Sequence, residues 1–287
     1  MRIITGFKRA LDLHSPGRNL DVFPDDVFVV SYPKSGNTWT RFLISNLVHP
    51  DEPANFGNIN RLVPDPEALP KRVLNQIPRP RLVKSHQYFD PRYQKVVYVV
   101  RDPRDVAVSE YHFHRKRRLI PDGYPVDQFV RQFIAGTTTQ YASWGENVGS
   151  WLVTRHHRPG FLLLRYEDMM QGTVGELAKV ASFLGIEASQ DRLIQAVERS
   201  SKEKMRELEK EQGHLWSSIK DTRQDVPFVR KAMAGGWRSD LPPQSVAQIE
   251  AAWSFLILYL GYELASEATK DKTEMRVREL LLGGPVR

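Results

Sequence analysis

Four short apolar runs constrain this chain more than any other feature. Residues 27–30 (VFVV), 82–83 (LV), 96–100 (VVYVV) and 161–164 (FLLL) are too short for buried helices and do not alternate with polar residues. Runs of this kind form strands covered on both faces, as in parallel sheets. Between them, apolar residues recur at helical spacing. Trp39, Phe42, Leu43 and Leu47 follow the first run, and helices are expected over 104–117, 127–135, 143–153, 175–184, 190–210 and 245–260. Gly185 and Gly261 stand where two of these should end, since a helix commonly closes on a left-handed glycine. Residues 49–80 hold seven prolines and read as a long surface excursion with at most short helices, while 211–236 read as irregular. The expected fold is α/β, a single domain with a central, mostly parallel sheet flanked by helices. One domain is expected over 1–287, with a core over about 25–261, a lead-in over 1–24 and a charged tail over about 265–287.

Composition narrows the function classes. Apolar residues make up 41% and charged residues 26% of the 287, enough for a sizeable core and against disorder over most of the chain. There is no cysteine, which excludes a disulfide framework, a cysteine nucleophile and a thiolate zinc site, and fits a reducing compartment. No stretch approaches the roughly 18 apolar residues of a membrane helix. The first residues carry scattered charges and no apolar signal core, so a cytoplasmic protein is expected. The net charge of +7 suits a nucleic acid, a membrane surface or a polyanionic small molecule. Arg115, Lys116, Arg117 and Arg118 form the densest basic run and read as a solvated helix face.

Three segments carry chemistry. Tyr32-Pro33-Lys34-Ser35-Gly36-Asn37-Thr38-Trp39 joins a buried strand to a helix. Such a turn aims backbone N–H groups and the helix dipole at one point, which suits phosphate. Lys34 adds a charge, Ser35 and Thr38 add hydroxyls, and Gly36 permits close approach. The segment is P-loop-like but is not a Walker A loop, because Lys34 precedes the glycine. In the second segment, Arg101 ends a buried strand and Ser109 follows two turns into a helix. An arginine and a hydroxyl can meet on one phosphate, although pairing of Arg101 with Asp102 or Asp105 is the plainer alternative. In the third, Lys84 and His86 stand two residues apart after a strand and share a face if extended. A lysine there depresses the histidine pKa and favours the neutral base.

In this order, these segments resemble the cytosolic-type sulfotransferases, which use 3′-phosphoadenosine-5′-phosphosulfate (PAPS). The resemblance spans about residues 25–261. The Lys34 loop is similar to the family's 5′-phosphosulfate loop, residues 101–109 to its 3′-phosphate segment, and Lys84-Ser85-His86 to its Lys-Thr/Ser-His motif. Leu164-Arg165-Tyr166-Glu167-Asp168-Met169 and residues 228–237 match two further motifs. The resemblance implies transfer of a sulfuryl group to an acceptor hydroxyl or amine by in-line displacement. His86 would be the general base, with Lys34, Lys84 and Ser109 as further catalytic residues. The donor site it implies comprises Lys34, Ser35, Gly36, Asn37, Thr38, Trp39, Arg101, Ser109, Tyr166, Ser200, Met205, Arg230, Lys231 and Ala232, and 3′-phosphoadenosine-5′-phosphate (PAP) would be the product. Asn37 stands where the family usually has threonine. Ala232 replaces a glycine, and Lys202 replaces the phenylalanine that packs on adenine, which leaves Trp39 as the stacking candidate.

Phe56, Tyr88, Phe89, Phe113 and Trp216 are candidates to line an acceptor pocket covered by 49–80 and 207–228. The acceptor itself is open between a phenol, steroid, natural product, sugar and lipid. No carboxylate cluster or His-x3-His pattern argues for a metal. The expected partner is a small-molecule acceptor, with neither nucleic acid nor a membrane span. The family's C-terminal dimer motif is not legible after Trp237, which leaves homodimerisation open. A kinase or nucleotide hydrolase is the rival enzyme, told apart by magnesium dependence. A polyanion binder using Arg115–Arg118 is the rival non-enzyme, told apart by steep salt dependence on duplex DNA.

Overall fold

All four expected strands form, each a residue or two longer than its apolar run: β1 (Val27–Ser31), β2 (Leu82–Ser85), β3 (Lys95–Val100) and β4 (Phe161–Arg165). The computed structural model describes residues 20–216, 218–229, 233–267, 269 and 270. The strands make one wholly parallel sheet in the order β2-β1-β3-β4. Val27 lies level with both Leu82 and Lys95, and Val96 with Phe161.

Period-two alternation splits these apolar strands between two cores. Phe28, Val30, Val96, Tyr98 and Val100 pack on one side with α4 (Pro103–Lys116), α5 (Val126–Ile134), α6 (Trp144–Arg155) and α12 (Pro243–Tyr259). Val27, Val29, Val97, Val99 and Leu164 pack on the other with α1 (Asn37–Val48), α8 (Thr173–Leu184) and α9 (Gln190–Arg199). Both faces are covered, as the absence of polar alternation requires. Local chemistry sets several boundaries. Pro103 opens α4 behind Asp102, whose side chain accepts from the Arg104 N–H, and Ser143 with Glu146 forms a capping box on α6. Gly185 closes α8 with φ 73°.

The excursion over 49–80 holds only α2 (Ile59–Leu62) and α3 (Lys71–Leu74). The excursion packs against α1, α10 (Lys202–Gln212) and the turns after it. There Phe42, Phe56, Ile59, Met205, Leu208 and Trp216 form a third apolar cluster.

Two expectations are corrected. The helix expected over 190–210 is two helices, α9 and α10, broken at Ser200 and Ser201. The Ser200 hydroxyl donates back to the Ala196 carbonyl at 2.8 Å and accepts from Asn46 Nδ2 at 2.9 Å, and Ser201 caps the Lys204 N–H. A serine with such local options leaves the helix readily. The basic run on α4 is not a uniformly solvated face. Lys116 is buried, and its ammonium donates to the carbonyls of Arg223 and Val226 at 2.9 and 2.6 Å, tying that segment to α4. Arg115, by contrast, pairs at the surface with Asp122. Two short helices, α7 (Tyr166–Gln171) and α11 (Trp237–Asp240), have no counterpart in the sequence expectations.

Candidate active site

The chain leaves β1 toward β2 on one side and reaches β3 on the other. Ligands of open parallel sheets bind at the carboxyl ends of strands where the order reverses in this way. The Lys34 loop, Arg101 and His86 follow β1, β3 and β2 at this point.

The loop is a left-handed turn into a helix. Lys34 has φ 64° and Gly36 φ 98°. A Cβ on Gly36 would stand 2.6 Å from Cδ2 of Tyr166, so the position needs glycine for both its conformation and its space. Asn37 ties the helix start to the strand, donating from Nδ2 to the Val29 carbonyl at 3.1 Å and the Ser31 hydroxyl at 3.3 Å. No side chain caps the first turn of α1. The Ser35 hydroxyl is buried without a hydrogen-bond partner. An uncapped helix N-terminus beside an orphaned buried hydroxyl fits an anion.

Arg101 frames one side of this mouth. Its guanidinium donates to the carbonyls of Lys34 at 3.3 Å and Met233 at 3.0 Å and lies 4.3 Å over the Tyr166 ring. Asp105 approaches it only to 4.0 Å and instead accepts from the Gly235 and Trp237 N–H groups at 2.7 and 2.9 Å. That draws the late 233–237 segment to the site. Asp102 pairs with Arg104, not with Arg101. Trp39 meets Tyr166 edge-on at 5.7 Å, and its indole N–H donates to the Ser200 carbonyl at 2.9 Å. Thr38 and Ser109 are half-buried, on α1 and α4 respectively. Met205 is buried in the third cluster. Arg230, Lys231 and Ala232 lie outside the described residues.

Lys34 points its ammonium between two aromatic faces, 4.0 Å from the Phe113 centroid and 4.3 Å from that of Phe228. Burial pulls its pKa down to about 7, with Glu110 opposing and Arg101 adding to the shift.

At the end of β2, Lys84 is buried, and its Nζ donates to Asp65 at 2.9 Å. His86 Nδ1 lies 2.7 Å from the Ser31 carbonyl oxygen. A carbonyl only accepts, so the Nδ1 proton is assigned by this contact and Nε2 keeps its lone pair. Burial first, and Lys84 second, push the imidazole pKa down to about 3, so the ring is neutral at pH 7. Tyr141 crosses it edge-on at 5.5 Å.

The acceptor-pocket candidates separate. Phe113 stands against Lys34 and meets Phe228 edge-on at 6.0 Å. Phe56 and Trp216 stack on each other at 4.9 Å inside the third cluster. Phe89 packs edge-on to Trp151 in the main core, and Tyr88 is exposed. Neither Asp65 nor Tyr141 is marked by its sequence context, and Asp105 and Phe228 are marked there only as a partner for Arg101 and as part of the late motif. Asp65 sits between two prolines in an aperiodic stretch, and nothing local marks it as the partner of Lys84. Among the described residues, no three or more His, Asp or Glu side chains are grouped to hold a metal ion, and no helix is long and apolar enough to cross a membrane.

The sulfotransferase domain model matches residues 24–257. Sulfotransferase 1A1 of Bos taurus is 31% identical over 268 residues, covering 86% of each chain. Sulfotransferase 2B1 of Homo sapiens is 32% identical over 246 residues, 80% of this chain and 65% of that one. Among solved structures, retinol dehydratase in complex with androsterone and inactive cofactor PAP superposes with a TM-score of 0.67 at 25% identity, covering 90% of this chain and 87% of that one. A mouse sulfotransferase complexed with PAP gives the same TM-score at 23% identity, covering 91% of both chains, and shows the fold alone.

Proposed function

The chain belongs to the sulfotransferase family, and we propose that it moves a sulfuryl group from PAPS to the hydroxyl or amine of a small-molecule acceptor. The residues present fit such a donor. The Lys34 loop offers an uncapped helix start and the orphaned Ser35 hydroxyl to the 5′ end. Arg101 and Ser109 would take the 3′-phosphate, and Trp39 would stack on the adenine. The PAP held by the similar retinol dehydratase structure supports this choice of donor.

PAPS supplies a sulfuryl group already activated on a phosphate leaving group. The protein's work is then placement and charge, as in phosphoryl transfer. His86 Nε2 takes the acceptor's proton while the acceptor oxygen attacks sulfur in line. The Ser31 carbonyl holds the imidazole and stabilises the imidazolium that forms. Lys34 and Lys84 stabilise negative charge on the peripheral oxygens and the departing phosphate. Phe113, Phe228 and Tyr141 offer apolar walls beside these groups, which suits a small hydroxylated apolar acceptor. Androsterone and retinol, held by the retinol dehydratase structures, are of that kind.

One contact carries the reading: the carbonyl that orients His86 belongs to Ser31, the last residue of the strand that opens into the Lys34 loop. The segment that orients the proposed base is therefore the one that leads into the anion loop. The test is a screen of phenols, sterols, retinoids and amines with sulfur-labelled PAPS, alongside calorimetry of PAP against AMP. Transfer of label to at least one acceptor class and a clear preference for PAP are expected. Equal affinity for PAP and AMP, with no labelled product from any class, would overturn it.

A further inference from the structure

Lys84, assigned above to the group in transfer, already has an engagement. Its Nζ donates to Asp65 Oδ2 at 2.9 Å, and the two side chains are only 10% and 9% exposed. The other Asp65 oxygen accepts from the Glu67 N–H at 3.0 Å. The Lys84 backbone N–H donates to the Pro64 carbonyl at 2.9 Å. Beside it, the buried Arg41 donates to Asn60 Oδ1 at 2.9 Å and to the carbonyls of Ile59 and Val63. Residues 59–67 are thus laid over two buried cations, one from α1 and one from β2. Burial alone would push the Asp65 carboxyl up, but the charges of Lys84 and Arg41 outweigh it and keep it ionised.

A buried ammonium is costly to leave without an anion. The sulfuryl oxygens of the donor are a second anion of the right kind for the same ammonium, and PAP lacks them. We propose that Asp65 competes with the donor's sulfuryl oxygens for the one Lys84 ammonium. This rests on the donor site proposed above. It follows that the chain discriminates less between PAPS and PAP than the same site would with Lys84 unopposed. Loading the sulfated donor also loosens the hold on residues 59–67, whereas loading PAP does not.

The test measures PAPS and PAP affinities without acceptor on the full chain, with a melting curve for each variant. Asp65→Asn should tighten PAPS relative to PAP by about tenfold, the scale of one charge-assisted hydrogen bond. Asp65→Glu should restore the wild-type ratio. Lys84→Met should lower the preference for PAPS, and Asp65→Asn should change nothing further in the Lys84→Met background. A folded Asp65→Asn protein with the wild-type ratio, while Lys84→Met lowers it, overturns the role of Asp65 and leaves the donor site standing. If Lys84→Met also leaves the ratio unchanged, the contact between Lys84 and the sulfuryl group falls, and this proposal falls with it. Should Asp65→Asn not fold, the wild-type chain still decides. The Asp65 carboxyl carbon resonance, identified through Asp65→Glu, should shift on adding PAPS and stay in place on adding PAP. The same response to both ligands would refute the competition.

Discussion

His86 Nδ1 and the Ser31 carbonyl oxygen are 2.7 Å apart, across the gap between β2 and β1. The imidazole proposed as the base is thus oriented by backbone, which no side-chain substitution nearby removes. Its Nε2 is left free to accept a proton.

His86→Ala should reduce turnover by roughly 10²–10⁴, the range for a lost general base, with PAP affinity nearly unchanged. Burial and Lys84 hold the wild-type imidazole at about 3, and a general base acts in its neutral form, above that value. Activity should therefore show no acidic limb from this residue as pH falls from 8 to about 5. Steady-state kinetics with calorimetric PAP titration on both proteins checks this. A fall in melting temperature with unchanged turnover per folded molecule would make His86 structural.

Lys34 should make donor binding proton-linked. In the free protein its pKa is lowered to about 7, and an anion beside the ammonium raises it in the complex. Binding therefore takes up a proton above pH 7, and affinity should fall as pH rises from 7 toward the value in the complex. PAP calorimetry at pH 8 in buffers of different ionisation enthalpy should report this uptake. Lys34→Met should abolish it, and an equal uptake in the mutant would assign the proton elsewhere.

Gly36→Ala should cost both stability and donor binding. At φ 98° alanine carries backbone strain, on the order of 1–3 kcal/mol. Its Cβ also meets the Tyr166 ring at 2.6 Å, the ring that supports Arg101. Thermal melts and PAP titration should both shift, and retention of wild-type PAP affinity would separate the loop from the donor site.

Arg81 and Asp26 form a fully buried ion pair. Arg81 also donates to the carbonyls of Leu74 and Asp21, and Asp26 accepts from the Phe23 N–H. Arg81→Met leaves the carboxylate unpaired in the interior and should destabilise the chain by about 3–5 kcal/mol in urea unfolding. A loss below about 1 kcal/mol would show that the site relaxes or admits water.

The parts of the fold legible in the sequence are those governed by nearby residues. Strands β1 and β3 are visible because Val27–Ser31 and Val96–Val100 are buried on both faces and cannot carry polar alternation. The anion loop is visible because a strand, a Lys-Ser-Gly turn and a helix are contiguous. The break at Ser200 is not visible. A serine there is compatible with a continuous helix until Asn46 and Trp39, on a distant element, bond to it.

The sequence by itself determined the alternation of strands and helices, the strand–loop–helix turn around Gly36, and the set of polar groups at the strand ends. Each of these follows from periodicity and turn chemistry within about fifteen residues. Only the tertiary structure decided which of those groups meet. Lys84 finds Asp65 across 19 positions, His86 finds Ser31 across 55, and Trp39 finds Ser200 across 161. Such pairings depend on sheet order and on how the excursion over 49–80 folds back. A buried polar group takes whichever partner the packing brings to it, and no local pattern encodes that choice.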